Sequence, residues 1–292
     1  MFGEWQVGVV VPARNEEKHI GKVLENIPEL IDKIVVVDDG STDNTAKIAS
    51  SVEVVSLEGE GVGAAIDAGH RKMLELLKPP FISVVMAGDG QMDPDDLPAL
   101  LQPIVDGKAH HVKGERLDRK KKMPFIRKIG TALLGFFTTL ACGQRIRDPQ
   151  CGYTATSHEV LEEWNWNKSW KGYGYPNWWL MMLTCEGFRI SHVPVKSIYA
   201  DQKSELKIIP FFAKVSLMLL VGLHSRLIKW IPETIMAHPI PVVIIILYSF
   251  GWIGILYSIL YNKLMLIGVV ISWWLCHRLD RIFVDVMRRP IS

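Results

Sequence analysis

Apolar runs of strand length alternate with mixed stretches of helix length through the amino-terminal part of the chain, and long apolar segments take over near the carboxyl end. Residues 6–12 (QVGVVVP) are almost continuously apolar, as expected of a strand buried on both faces of a parallel sheet. Residues 16–26 then predict a helix. A second run, 33–37 (KIVVV), closes in Asp38, Asp39, Gly40, Ser41 and Thr42, a turn into another helix that Ser41 or Thr42 can cap. Residues 52–57 predict a third strand, followed by a glycine-rich turn and a helix over 64–77. Residues 81–86 (FISVVM) predict a fourth, broken by Ala87-Gly-Asp-Gly-Gln91. Strands alternating with helices predict βαβ units with right-handed crossovers. Ligands of such sheets sit beyond the carboxyl ends of the strands, where the polar clusters after Val11, Val37 and Met86 all fall.

From Lys108 the pattern changes. A possible strand (AHHVKG) precedes a basic loop (DRKKKMPFIRK), an apolar helix over 126–142, the segment Asp148-Pro-Gln-Cys-Gly-Tyr153 and a tryptophan-rich stretch. Residues 188–199 predict a final strand of the same domain. Residues 207–230 are apolar but punctuated by Lys214, His224, Arg226 and Lys229, which predicts a helix lying in a membrane interface rather than across it. After Glu233 no Asp, Glu, Lys or Arg occurs until Lys263, a gap of 29 residues that is long enough to span a bilayer. The next gap, from Lys263 to Arg278, holds 14 residues, and snorkelling of its flanking cations would extend its reach. A two-helix hairpin is therefore expected, with Arg278, Arg281, Arg288 and Arg289 on the same side as the amino-terminal domain. The alternative is one span and an interfacial tail.

Composition narrows the function. A net charge of +2 on 292 residues offers no domain-wide basic excess for a nucleic acid. Cys142, Cys151, Cys185 and Cys276 have neither zinc-site spacing nor the density of a disulfide scaffold, and are expected to be reduced thiols. The apolar stretch before Arg14 is shorter than the core of a signal peptide, so the bulk of the chain is expected in the cytoplasm.

The chemistry concentrates at strand ends. Asp89 and Gln91 offer a carboxylate and an amide oxygen two residues apart, ligands suited to Mg²⁺ or Mn²⁺ on a substrate diphosphate, although Asp and Gly are also common in strand-to-helix turns. Asp93, Asp95 and Asp96 read as turn or first-turn helix residues. Asp38 and Asp39 fit either a turn with its cap or a ligand site.

Val10-Val-Pro-Ala-Arg-Asn-Glu16, Val37-Asp-Asp-Gly-Ser-Thr-Asp43, Gly61-Val-Gly63 and Gly88-Asp-Gly-Gln91 occur in the order and spacing of family 2 glycosyltransferases of the GT-A fold, and the chain most resembles their polyprenyl-phosphate sugar synthases, the dolichol-phosphate mannose synthase type. Lys113-Gly-Glu-Arg116, Arg127, Asp148-Pro-Gln-Cys-Gly-Tyr153 and Ile198-Tyr-Ala-Asp-Gln-Lys-Ser204 resemble the family's later signatures. The resemblance implies an α/β GT-A catalytic domain over residues 1–205, to which the charge pattern adds interfacial helices over 206–232 and a transmembrane hairpin with a cytoplasmic tail over 233–292. It implies inverting transfer of a hexose from a GDP- or UDP-sugar to polyprenyl phosphate at a lipid bilayer. Pro12, Arg14 and Glu16 would flank the nucleoside, with Asp38 and Gly88 in the same site and Asp39 accepting from a base N–H. Asp89 and Gln91 would hold the metal, and Arg116, Arg127 and Lys203 would bind phosphate.

One departure stands out: Ala87 occupies the position of the family's usual first acid, so the metal site rests on Asp89. A phosphate acceptor needs no general base, whereas a glycolipid or glycan hydroxyl does; Asp148 is the candidate base for that second case, or a turn acid before Pro149. A third possibility is an idle scaffold of the same fold. The run Arg119-Lys-Lys-Lys122 is a solvated charge run or a steering patch for anionic head groups, and Trp164, Trp166, Trp170, Trp178 and Trp179 read as core and interface residues.

Overall fold

The computed structural model describes residues 1–117, 125–172, 174–196, 198, 208–234, 239–261 and 263–291. The valine-rich runs become strands because both of their faces are covered, so that from Val7 to Ala13 no side chain meets solvent. The strands β1 (Gln6–Ala13), β2 (Lys33–Asp39), β3 (Glu53–Leu57), β4 (Phe81–Val85), β5 (His111–Arg116), β6 (Thr154–Ser157) and β7 (Ile190–Val195) form one seven-stranded sheet in the order β3-β2-β1-β4-β6-β5-β7. Strand β6 alone runs antiparallel to its neighbours, with Ala155 opposite Val84 on one side and Val112 on the other. All the other strands therefore end on one edge, which collects the turns after Ala13, Asp39, Val85 and Arg116.

The helices are α1 (Ile20–Glu25), α2 (Thr45–Ile48), α3 (Val62–Leu76), α4 (Leu97–Val105), α5 (Phe125–Cys142), α6 (His158–Glu163), α7 (Tyr175–Cys185), α8 (Ile208–Thr234), α9 (Ile240–Leu260) and α10 (Met265–Val286). One face of the sheet buries Val7, Val9 and Val11 against Ile20 of α1 and Leu97, Leu100 and Leu101 of α4. The opposite face buries Val10, Val35 and Val37 against Ala65, Ile66 and Met73 of α3 and Trp179 of α7. A third core joins α5 and α7 to the carboxy-terminal helices through Leu134, Leu180, Met181, Leu219, Leu223 and Phe283.

Helix α9 is the one helix among the described residues that is long and apolar enough to cross a membrane by length and composition. It packs along α10, where Gly251 lets the two backbones approach: a Cβ there would fall 1.9 Å from the Trp273 indole nitrogen. Helix α10 carries Arg278, Asp280, Arg281 and Asp285 in its second half. Asp280 forms a 2.6 Å ion pair with Arg226 of α8, and both side chains are almost wholly buried. The residues after α10 return to the sheet domain: Arg289 donates from its backbone to the Gly187 carbonyl (2.9 Å) and from Nε to the Glu186 carbonyl (2.6 Å), and its guanidinium lies over the Phe188 ring. The hairpin thus begins and ends on the side of the sheet domain. Large apolar side chains stay exposed on α5 (Leu133, Phe136), α8 (Leu217, Val221), α9 (Ile253, Leu256) and α10 (Ile267, Val270).

Strand β6 and helices α6 and α7 depart from the expected layout. Thr-Ala-Thr-Ser has no strand signature of its own and becomes one because β4 and β5 flank it on both sides. The N-cap position of α2 is Asn44, not Ser41 or Thr42; ahead of it Asp43 Oδ1 accepts from Thr45 N at 3.0 Å. The Ser41 hydroxyl is committed elsewhere, accepting from Asn15 N at 2.9 Å.

Candidate active site

A cleft of about 350 Å³ opens at the carboxyl edge of the sheet. Its walls bring together Pro12, Arg14 and Glu16 from the β1 turn, Asp39 from β2, Gly61, Val62 and Ala65 from the start of α3, and Ala87, Gly88 and Asp89 from the β4 turn. The β1 turn is fixed by Asn15, which adopts a left-handed backbone (φ 55°) and accepts through Oδ1 from Thr42 N at 2.8 Å. Asn tolerates this region better than other non-glycine residues, because its short polar side chain bonds locally. Glu16 N donates to Thr45 Oγ1 (2.8 Å), so the first two turns are tied together.

Asp38 and Asp39 separate in role. The Asp38 carboxylate turns away from the cleft and accepts from the Ser41 hydroxyl and backbone N–H, which makes it the turn residue of the pair. Asp39 lines the cleft, and its two oxygens accept from the N–H groups of Glu60 (2.7 Å) and Gly61 (2.9 Å), which draws the glycine-rich turn onto β2.

The remaining wall comes from a segment with no motif to announce it. Residues 169–172, here the strap, run over the start of α3: Gly63 N donates to the Lys171 carbonyl (2.9 Å), and Gly172 lines the cleft. The Gly61-Val-Gly63 motif has its physical reason here, since a Cβ on Gly63 would fall 2.1 Å from the Trp170 carbonyl oxygen. Gly61 also sits at φ 102°, a conformation other residues avoid. The tryptophans around the strap are structural: Trp164 and Trp179 are core residues whose ring centroids lie 3.9 Å apart.

Of the three carboxyl residues that line the cleft, Glu16 and Asp89 are held away from their ordinary titration range. Burial, with the Asp89 charge adding to it, holds the Glu16 carboxyl above its usual range. Burial likewise raises Asp89, although its Oδ1 accepts from Gln91 N at 3.0 Å. A cation would stabilise the charged form of both groups. Among the described residues no three His, Cys, Asp or Glu side chains gather as a metal-binding group. Asp89 lines the cleft, and its carboxylate fits a Mg²⁺-like ion that takes most of its ligands from substrate phosphates and water; Gln91, held to Asp89 through its backbone N–H, is not among the residues of the cleft wall. Ala87 in the cleft wall offers no additional carboxylate.

The turn bearing Asp89 is braced from outside. Ile198 N donates to the Gln91 carbonyl (3.0 Å), Lys196 N donates to Asp96 Oδ2 (2.6 Å) and the Tyr153 hydroxyl donates to the Asp93 carbonyl (3.0 Å). Asp93 accepts from Asp95 N at 3.0 Å, as its reading as a turn acid expects. Arg116 leaves the end of β5 on the same edge but does not line the cleft. It forms a two-pronged pair with Asp148, Nε to Oδ2 at 2.7 Å and NH2 to Oδ1 at 3.0 Å. The side chain of Arg127, all of Lys203 and the basic run Arg119 to Lys122 lie outside the described residues.

Residues 8–164 match the model of glycosyl transferase family 2, and the chain belongs to that family; it is a glycosyltransferase. Among its relatives, a UDP-N-acetylglucosamine--dolichyl-phosphate N-acetylglucosaminyltransferase of Methanococcus voltae is 33% identical over 217 residues, which cover 66% of this chain and 86% of the relative. A dolichyl-phosphate hexose transferase of Haloferax volcanii is 29% identical over 211 residues, 70% of this chain and 87% of the relative. The solved glucosyl-3-phosphoglycerate synthase from Mycobacterium tuberculosis, in complex with Mn²⁺, UDP and glucosyl-3-phosphoglycerate, superposes with a TM-score of 0.56 at 24% identity over 77% of this chain and 80% of its own. That likeness is one of fold, and it makes the fold of this chain GT-A.

Proposed function

We propose that this glycosyltransferase transfers a hexose, with inversion, from a GDP- or UDP-sugar to a polyprenyl phosphate at the cytoplasmic face of a membrane. The observation that carries the reading is the pairing, in one chain, of the carboxylate-lined cleft with an apolar cavity of about 460 Å³ where α5 of the sheet domain meets α8, α9 and α10. Leu140, Leu217, Leu220, Leu223 and Trp252 line that cavity, chemistry suited to an isoprenoid chain and to no part of a soluble sugar. Two relatives named for dolichyl phosphate support the same acceptor class. Helix α9 spans the bilayer with α10 beside it, and the exposed apolar faces of α5 and α8 rest in the interface.

In this reading Pro12, Arg14, Glu16, Asp39 and Gly88 receive the nucleoside, and Asp89 with Gln91 holds Mg²⁺ or Mn²⁺ on the diphosphate. The ion, when bound, neutralises charge on the leaving nucleoside diphosphate. Arg116, together with Arg127 and Lys203, receives the acceptor phosphate. Asp148 acts as its positioning group: a carboxylate whose two oxygens both accept from a guanidinium is poorly placed to take a proton, and a phosphate acceptor has none to give.

The test uses the purified full chain in detergent with a panel of UDP- and GDP-sugars, Mg²⁺ or Mn²⁺, and polyprenyl phosphate present or absent, with the product weighed by mass spectrometry. A glycosylated lipid phosphate formed only with polyprenyl phosphate is expected. Transfer to a glycolipid hydroxyl in its place would overturn the acceptor assignment.

A further inference from the structure

Lys113 lies on β5 three residues before Arg116, and its side chain is almost wholly buried, at 1% exposed. Burying an amine costs free energy unless its N–H groups find acceptors, so a fold that keeps a lysine inside depends on what that lysine holds. Its Nζ donates to the Cys151 carbonyl at 2.5 Å. Cys151 N donates in turn to the Asp148 carbonyl at 3.3 Å, which closes a turn over residues 148–151. At the start of that turn the Asp148 carboxylate takes both prongs of the Arg116 guanidinium and also accepts from Arg116 N at 3.4 Å.

The turn is tied down from its other side as well. Gln150 Nε2 donates to Asn177 Oδ1, and Asn177 Nδ2 donates to Thr138 Oγ1 at 2.7 Å. Asn177 of α7 and Thr138 of α5 are wholly buried. Past the turn, Gly114 N donates to the Tyr153 carbonyl at 2.9 Å, and a Cβ on Gly114 would fall 3.0 Å from Cys151 Sγ, so β5 and the turn are in close contact. Lys113, Asn177 and Thr138 stand outside both the donor cleft and the apolar cavity, and they reach a ligand only through the turn. Arg116, whose side chain is partly exposed, is where this buried chain of bonds meets solvent. A long side chain ordered before its ligand arrives spares the complex the entropy of ordering it.

We infer that Lys113, with Gln150 as its counterpart across the turn, is a positioning residue for the acceptor phosphate: it fixes the 148–151 turn so that Asp148 presents the Arg116 guanidinium in one orientation. The inference rests on the reading of Arg116 as a group that receives that phosphate.

The experiment titrates the full chain in detergent, at saturating UDP and Mg²⁺, with farnesyl phosphate and with farnesol, which carries the same chain without the phosphate; UDP affinity is titrated separately. The variants are Lys113→Met, Gln150→Met, Arg116→Leu, and Lys113→Met combined with Arg116→Leu. Farnesyl phosphate is expected to bind about tenfold more weakly or worse in Arg116→Leu and about fivefold more weakly in Lys113→Met and in Gln150→Met, with farnesol and UDP affinity unchanged. On top of Arg116→Leu, Lys113→Met is expected to add less than about twofold, because no guanidinium is left to orient. Three results would overturn the inference while the acceptor assignment stands: parent affinity for farnesyl phosphate in both Lys113→Met and Gln150→Met, equal losses for farnesyl phosphate, farnesol and UDP, or a full Lys113→Met effect in the combined variant. Parent affinity in Arg116→Leu would overturn the assignment of Arg116 itself. Should Lys113→Met not fold, Gln150→Met, at a half-buried position, carries the same comparison.

Discussion

Asp89 is a carboxylate kept above its usual pKa by burial, and a site of that kind works only if something positive arrives with the substrate. Asp89→Ala is expected to lower transfer at least a hundredfold, about 3 kcal/mol of barrier, while the thermal midpoint stays level or rises because a buried charge is gone. Initial rates and circular dichroism melting check both halves, and near-normal turnover would remove Asp89 from the metal site. The Arg116–Asp148 pair makes an asymmetric prediction. Asp148 is 2% exposed, and Arg116→Leu removes both guanidinium bonds from this buried carboxylate at a cost of ~1.5–3 kcal/mol. Asp148→Asn leaves a guanidinium whose side chain is 27% exposed and can hydrate, and is expected to cost less in denaturant unfolding. The sequence showed both residues but not their pairing, since 32 positions separate them.

At the scale of elements, the strap and α3 share one contact that admits no side chain. Gly63→Ala places a methyl group 2.1 Å from a carbonyl oxygen, and the strap has to move. A loss of ~1–3 kcal/mol in stability and about a tenfold weaker UDP affinity are expected, read by melting and by titration. Helix α3 and the sheet carry a second device in shielded histidines. Burial lowers His70, whose Nδ1 bonds Ser83 Oγ at 2.8 Å, from 6.5 to about 3, and lowers His192 to about 4. A histidine depressed in the folded state supplies stability in full above its unfolded pKa and loses it as pH falls toward the folded value. Between pH 6.5 and 5 each is expected to cost about 2 kcal/mol, seen as a falling melting temperature. His70→Gln should flatten that slope. Neither the strap nor the histidine packing was legible beforehand: the tryptophan-rich stretch has no period, and a histidine looks the same in a core as in a site.

For the whole molecule, the carboxy-terminal helices are part of the catalytic body. Arg226, buried against Asp280, ties α8 to α10, the third core packs α8 on α5 and α7, and Arg289, seated on Phe188, ties the tail to the sheet domain. If α9 spans a bilayer, arginines on its exposed face must be costly, at ~2.5–3.5 kcal/mol each near the midplane. The variant Ile253→Arg with Leu256→Arg is expected to leave the vesicle fraction in a flotation gradient while the parent chain floats. Retention of the variant would place α9 outside the hydrocarbon region.

The sequence by itself determined the parallel strands, because a run of valines is stable only with both faces covered. It also determined the long apolar helix and the turns at the strand ends where Pro12, Arg14, Glu16, Asp39, Gly88 and Asp89 meet. These are local signals, carried by neighbours along the chain. Tertiary structure alone decided that Thr154 to Ser157 is a strand, that Asp38 serves the turn while Asp39 lines the cleft, that Asp148 holds Arg116, and that Gly172 closes the cleft. Each depends on partners far away in sequence, and which partner a side chain meets is fixed only when the layers pack.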